Sequence, residues 1–151
     1  MQEQKDHWYI TLSSFLMVLL FAYTGINKLL TQKEFSQQLL QNAYLHPFAI
    51  PLSFALPIIE IVIAICLIYK QTYTIGILSA ALLMTLFSVY VGFMLLQHKA
   101  PLHCTCGGVI SAMTWRQHLW FNVFFTALAW ASIIVQKIIH KKISTNKKEV
   151  S

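Results

Sequence analysis

Four long apolar runs, almost free of charge, constrain this chain more than any other sequence feature. Residues 8–27, 71–96 and 119–136 contain no charged side chain, and residues 47–69 contain a single acid, Glu60. Each run approaches or exceeds the roughly 20 residues that a helix needs to cross a ~30 Å hydrocarbon core. The runs are continuous and lack the alternating pattern of a membrane barrel strand. Only 11% of the residues are charged, against about a quarter in soluble domains. The sequence therefore predicts a membrane protein.

The predicted fold class is an all-α membrane protein, a four-transmembrane-helix bundle formed by one membrane domain over residues 1–151. The predicted transmembrane helices cover about 8–30, 48–69, 72–96 and 115–139, with an outer loop at 97–114 and a basic tail at 140–151. Between the first two helices, Phe35, Leu39 and Ala43 recur at a spacing of four. This spacing favours a short amphipathic helix at the membrane interface.

Basic residues predict the orientation of the bundle. Four crossings place both termini on one side, and that side holds seven of the 11 basic residues. They are Lys5, Lys70, Lys137, Lys141, Lys142, Lys147 and Lys148. Because basic residues accumulate on the cytoplasmic side, we expect both termini to be cytoplasmic, in a bacterial inner membrane. The basic C-terminal segment is explained by contact with anionic lipid, and we do not expect nucleic-acid binding.

The outer loop carries the only concentrated chemistry in the sequence, the pair Cys104 and Cys106. A disulfide across one intervening residue closes a very small ring, so we expect it to be strained, easily reduced and of little value for stability. His103 and Arg116 would favour the thiolate form. Thr114 and Gln117 have the spacing of a capping box, which places the positive end of the last helix near the cysteines.

Two other interpretations of this loop stay open. In the first, the pair is a static disulfide or two idle thiols. In the second, His103, Cys104 and Cys106 hold a soft metal such as copper. The spacing differs from the CxxC of zinc sites. The third cysteine, Cys66, lies in an apolar run, and we predict that it serves only in packing.

An ionisable residue inside a predicted span, Glu60, marks a functional or paired position. Pro57, one turn earlier, allows the helix to bend. We consider two roles for Glu60. Either it is a protonated structural hydrogen-bond donor, or it contacts a proton or a quinone. Lys28 lies near the outer end of its helix while Glu60 is ~15 Å deep at 1.5 Å per residue, which argues against a direct ion pair. Candidate partners are Tyr23, Thr24, Ser88, Tyr90 and Asn122.

Several of these motifs together resemble a known family. Gly25-Ile26-Asn27-Lys28-Leu29, a link containing Phe35, and Pro57-Ile58-Ile59-Glu60 resemble the DoxX-like superfamily of four-helix membrane proteins. Cys104-Thr105-Cys106-Gly107-Gly108, followed by Trp115 and Asn122, resembles its MauE branch. The resemblance extends over about residues 8–138.

The MauE branch is associated with periplasmic thiol–disulfide chemistry and with disulfide maturation of methylamine dehydrogenase. The resemblance implies that Cys104 and Cys106 are the redox pair and that Glu60 is the intramembrane acid. It implies a role in helix packing for Asn122.

The predicted function is support of periplasmic thiol–disulfide exchange, or of disulfide maturation of a partner, through Cys104 and Cys106. A catalytic pair would make the protein a thiol–disulfide oxidoreductase. The expected partners are membrane lipid and a periplasmic thiol or thioredoxin-like protein, and a quinone is the one cofactor considered. The alternatives are a non-catalytic anchoring or stabilising subunit of a larger membrane complex, and a metal-handling protein that uses His103 with the two cysteines.

Overall fold

Helices form nearly all of the structure. The computed structural model describes residues 2–42, 44–96 and 114–149, and within these ranges it contains α-helices, one short 3-10 helix and no strand. The elements in chain order are α1 Gln2–Leu30, α2 Gln32–Gln41, a 3-10 helix His46–Phe48, α3 Ala49–Ile68, α4 Tyr73–Leu96 and α5 Trp115–Glu149.

Four of the helices are long and apolar enough to cross a membrane. The spanning segments are Trp8–Leu30, His46–Ile68, Tyr73–Leu96 and Arg116–Ile139. They confirm the predicted fold class. Helix α5 continues beyond its span to Glu149, so part of the basic C-terminal segment is helical.

The four spanning helices pack as a closed ring. Helix α1 contacts α3 and α5, and α4 contacts the same two helices from the other side. Residues at the centre of the ring, such as Met17, Phe21, Ile77 and Ala80, are almost completely buried. Many large apolar side chains on the outer surface are exposed, as expected for helices that face lipid.

Helices α3 and α4 approach closely beside their short connection. A Cβ atom added to Gly76 would lie 3.0 Å from the backbone carbon of Cys66 and 3.0 Å from the backbone nitrogen of Leu67. The Thr72 hydroxyl donates to the Cys66 carbonyl at 2.9 Å. Cys66 is a free thiol at this contact, in agreement with the packing role predicted for it.

Helix α2 is the short helix predicted between the first two spans, but its apolar face packs against protein. Phe35 and Leu39 are buried in a small cluster with Ala49, against which Leu52 and Leu56 also pack. The predicted short amphipathic helix between the first two spans is therefore confirmed, and its apolar face packs on α3. Helix α2 covers the first turns of α3.

Candidate functional site

A buried ion pair joins α1 to α3. The Lys28 ammonium contacts Glu60 Oε1. The two side chains are only 8% and 1% exposed. Charged groups inside a membrane bundle are costly unless they are paired, and they usually face the interior of the bundle. Each of these two side chains therefore offsets the cost of burying the charge of the other.

The expectation that Lys28 lies too far from Glu60 is wrong, and the close approach of α1 and α3 shows why. A Cβ atom added to Gly25 would lie 3.1 Å from the Pro57 carbonyl oxygen and 3.3 Å from Glu60 Cβ. Gly25 is thus level with Glu60. Lys28 lies one turn further along α1, and its long side chain spans the remaining offset.

The sequence-based depth was wrong because it placed the end of α1 level with the start of α3. The Gln32 side-chain amide, at the start of α2, donates to Ser53 Oγ at 3.2 Å. Ser53 is already in the second turn of α3. The end of α1 therefore lies deeper in the bundle than the first turn of α3. Helix α2 fills the difference in height.

Two aromatic rings flank the ammonium group of Lys28. Its Nζ lies 5.5 Å from the ring centroid of Phe35 on α2 and 5.2 Å from that of Phe87 on α4. Both distances are within the range of cation–π attraction. The ammonium is therefore held by groups from three elements, α2, α3 and α4.

Helix α5 contributes two polar side chains, Asn122 and His118, at the height of the Lys28–Glu60 pair. Ser132 Oγ donates to Ser13 Oγ at 2.8 Å, which fixes the height of α5 against α1. At 1.5 Å per residue, Asn122 lies about 15 Å above Ser132, and Thr24 lies about 17 Å above Ser13. Asn122 is only 4% exposed.

His118 lies one turn above Asn122, at the height of Lys28. The Lys28 ammonium and the His118 imidazole are close enough to interact electrostatically. The interior of the bundle at this height thus contains Lys28, Glu60, His118 and Asn122. We call this group the polar cluster.

Several polar atoms of the polar cluster have no hydrogen-bond partner among the described residues. They are Glu60 Oε2, Asn122 Nδ2 and His118 Nδ1, together with Nδ2 of the neighbouring Asn27. Buried polar groups in proteins are nearly always satisfied, by protein or by ordered water. The cluster therefore has unused hydrogen-bonding capacity inside the bundle.

The comparison with protein families decides where the chain belongs. A family profile described as methylamine utilisation protein MauE matches residues 6–135. The chain belongs to the MauE family. No curated protein and no solved structure gives a significant match to it. As a MauE-family chain with four apolar helices, it is a multi-pass membrane protein.

Of the partners predicted for Glu60 in this MauE-family protein, Thr24 and Asn122 lie at the height of the polar cluster. The Thr24 side chain lies beside the Glu60 carboxyl. Ser88 Oγ instead contacts Thr126 Oγ1 at 3.1 Å, and the Tyr90 hydroxyl contacts the Asn42 side-chain amide.

The predicted capping box at the start of α5 is confirmed. The Thr114 backbone N–H donates to Gln117 Oε1 at 2.9 Å, and the Gln117 backbone N–H contacts Thr114 Oγ1 at 3.4 Å. These contacts satisfy amide groups that the first turn of a helix leaves free. Arg116 lies in this first turn and is exposed.

The sulfur chemistry predicted for the MauE-family chain lies in the connection between α4 and α5. His103, Cys104 and Cys106 fall outside the described residues. Among the residues that the structure does describe, no group of three His, Cys, Asp or Glu side chains could hold a metal. The metal hypothesis concerns only residues beyond that part of the chain.

Sequence reasoning considered Lys28 and wrongly rejected it, and it missed His118 as a member of the polar cluster. The signal for Lys28 was Gly25, three residues earlier, because a glycine on one face of a membrane helix permits close contact with a neighbour. The signal for His118 was its spacing of four from Asn122, which places both residues on one face of α5.

Proposed function

We infer that this MauE-family protein supports thiol–disulfide exchange with a partner protein outside the cytoplasm, through Cys104 and Cys106. The observation that supports the proposal most strongly is the capped start of α5 at Thr114, a short distance along the chain from Cys106. The helix dipole and the exposed Arg116 both contribute positive potential there. Positive potential favours the thiolate, which is the reactive form of cysteine.

The exchange conserves atoms and electrons. A thiolate of the partner attacks one sulfur of the Cys104–Cys106 disulfide, forms a mixed disulfide and releases the other sulfur as a thiolate. A second partner thiolate then resolves the mixed disulfide, so the partner is oxidised and Cys104 and Cys106 are reduced. Reoxidation passes two electrons and two protons to a membrane acceptor, for which a quinone is the proposed chemical class.

The same proposal places the protein in the bacterial inner membrane with both termini in the cytoplasm, as the distribution of basic residues predicts. A membrane-impermeant maleimide applied to intact spheroplasts after mild reduction should label Cys104 and Cys106. A cysteine introduced by Lys147→Cys in a chain lacking the other cysteines should be labelled only after lysis. Labelling of the introduced cysteine in intact spheroplasts would reverse the orientation.

Single-cysteine variants test the exchange itself. In Cys104→Ser or Cys106→Ser the remaining thiolate attacks the disulfide of the oxidised partner and releases one partner sulfur as a thiolate. Because the second loop cysteine is absent and cannot resolve this adduct, the mixed disulfide should accumulate. The adduct should appear on non-reducing gels and disappear with reductant. Cys66→Ser is the matched control, because Cys66 lies at the contact between α3 and α4 and should not change the pattern.

The outcome also separates thiol exchange from the role of a non-catalytic subunit. If neither single variant forms an adduct and the double serine variant supports the same partner, thiol exchange is refuted. An anchoring subunit of a larger membrane complex would then account for the protein.

A further inference from the structure

We propose that the polar cluster holds internal water molecules that give Glu60 a route for protons to the face of the bundle where α4 ends and α5 begins. We call this face the loop face. The proposed ligand is water, which carries the protons along the route. The proposal concerns the membrane interior and does not depend on the chemistry of Cys104 and Cys106.

Unsatisfied hydrogen-bonding groups are the first support. Glu60 and Asn122 are 1% and 4% exposed, and Glu60 Oε2 and Asn122 Nδ2 lack a partner among the described residues. A carboxylate oxygen accepts hydrogen bonds, whereas an amide nitrogen donates them. Water can donate to the first and accept from the second. A buried water typically makes about three hydrogen bonds to polar groups that would otherwise be unsatisfied.

The balance of charge at the cluster is the second support. The titratable groups at this height of the bundle are Lys28 from α1, Glu60 from α3 and His118 from α5. Lys28 contacts Glu60, and its positive charge acts on His118. Helices α2 and α4 contribute the aromatic rings of Phe35 and Phe87. A cation and an acid in contact are close enough to share or exchange a proton, and the imidazole is a third group able to carry one.

The position of His118 defines the route. His118 lies one turn from the capped start of α5 and one turn from Asn122, so it separates the loop face from the deeper part of the cluster. Its Nδ1 atom is buried and also lacks a partner among the described residues. Ionisable side chains that face the interior of membrane bundles commonly mark proton pathways. On this arrangement His118 passes protons between water at the loop face and water beside Glu60.

Solid-state NMR of the full chain in lipid bilayers tests the water site. Magnetisation transfer from water to the Asn122 side-chain amide should exceed transfer to the Ala129 backbone amide by at least about fivefold, as for a group in contact with bound water. Ala129 is the internal control because it lies on the same helix and is 0% exposed. Equal transfer to both groups would show that the cluster is dry and would overturn the proposal.

Hydrogen–deuterium exchange tests the route. His118→Phe should slow exchange of the Asn122 side-chain amide about tenfold, since it removes the proton-carrying ring from the route. Trp120→Phe is the matched control, because Trp120 is 74% exposed on the same helix. If His118→Phe does not assemble, His118→Leu replaces it. Exchange at the wild-type rate in an assembled His118 variant would refute the route.

Discussion

Replacement of Lys28 by methionine should strongly destabilise the bundle, because it leaves Glu60 without its partner. The Glu60 side chain is 1% exposed, so the substitution leaves a buried carboxylate without a cation to balance its charge. Removing one partner of a buried ion pair typically costs about 3–5 kcal/mol. Even about 3 kcal/mol lowers the ratio of folded to unfolded protein by roughly a hundredfold, at about 1.4 kcal/mol per factor of ten.

Combining Lys28→Met with Glu60→Leu should restore most of the lost stability. Two apolar side chains of suitable size avoid the cost of burying charge, and such replacements of buried pairs are often neutral. Equilibrium unfolding in detergent, followed by far-UV circular dichroism, measures all four members of the double-mutant cycle. Lys33→Met is the control, since Lys33 is exposed on α2.

Two results would refute this reasoning. One is a Lys28→Met protein whose free energy of unfolding is within about 0.5 kcal/mol of the wild type, the range of ordinary surface substitutions. The other is an additive cycle, in which the double variant loses as much stability as the two single variants together. Either result would mean that Lys28 and Glu60 are not coupled in the folded protein.

Two further substitutions test the packing of α1 and the start of α5. Gly25→Ala should cost about 1–3 kcal/mol because its Cβ meets Ile61 Cγ1 at 2.9 Å, as in other overpacked sites; Gly92→Ala, which meets nothing within 4 Å, should be tolerated in the same unfolding assay. Equal effects of the two would contradict the close α1–α3 contact. Thr114→Ala should cost about 1 kcal/mol by removing the cap of α5, and a wild-type unfolding curve would show that the cap contributes nothing.

Much of the fold was predictable because a helix that crosses the hydrocarbon core of a bilayer needs about 20 consecutive apolar residues. The uncharged runs determine the four spans, and the capping box at Thr114 determines the start of α5. Each of these features is local, so residue spacing alone was sufficient to predict it.

The polar cluster could not be predicted in the same way because it depends on the relative height of helices. A sequence gives depth along one helix, but the offset between α1 and α3 is set by the packing of α2 against α3 through Phe35 and Leu39. Because the sequence-based prediction ignored this offset, it placed Lys28 too far from Glu60 for an ion pair. Asn122 was recognised as polar and internal, but its neighbours on α1 and α3 were not apparent from its own helix.

The redox state of Cys104 and Cys106 in native membranes tests the proposed thiol exchange most directly. Membranes equilibrated over a series of thiol–disulfide ratios are quenched with acid and labelled with a maleimide that adds mass to each free thiol. We predict a reversible conversion of the pair, with a midpoint potential above the roughly −300 mV typical of structural disulfides, while Cys66 stays reduced throughout. A pair that remains oxidised, or one that remains reduced, across the whole series would contradict the account.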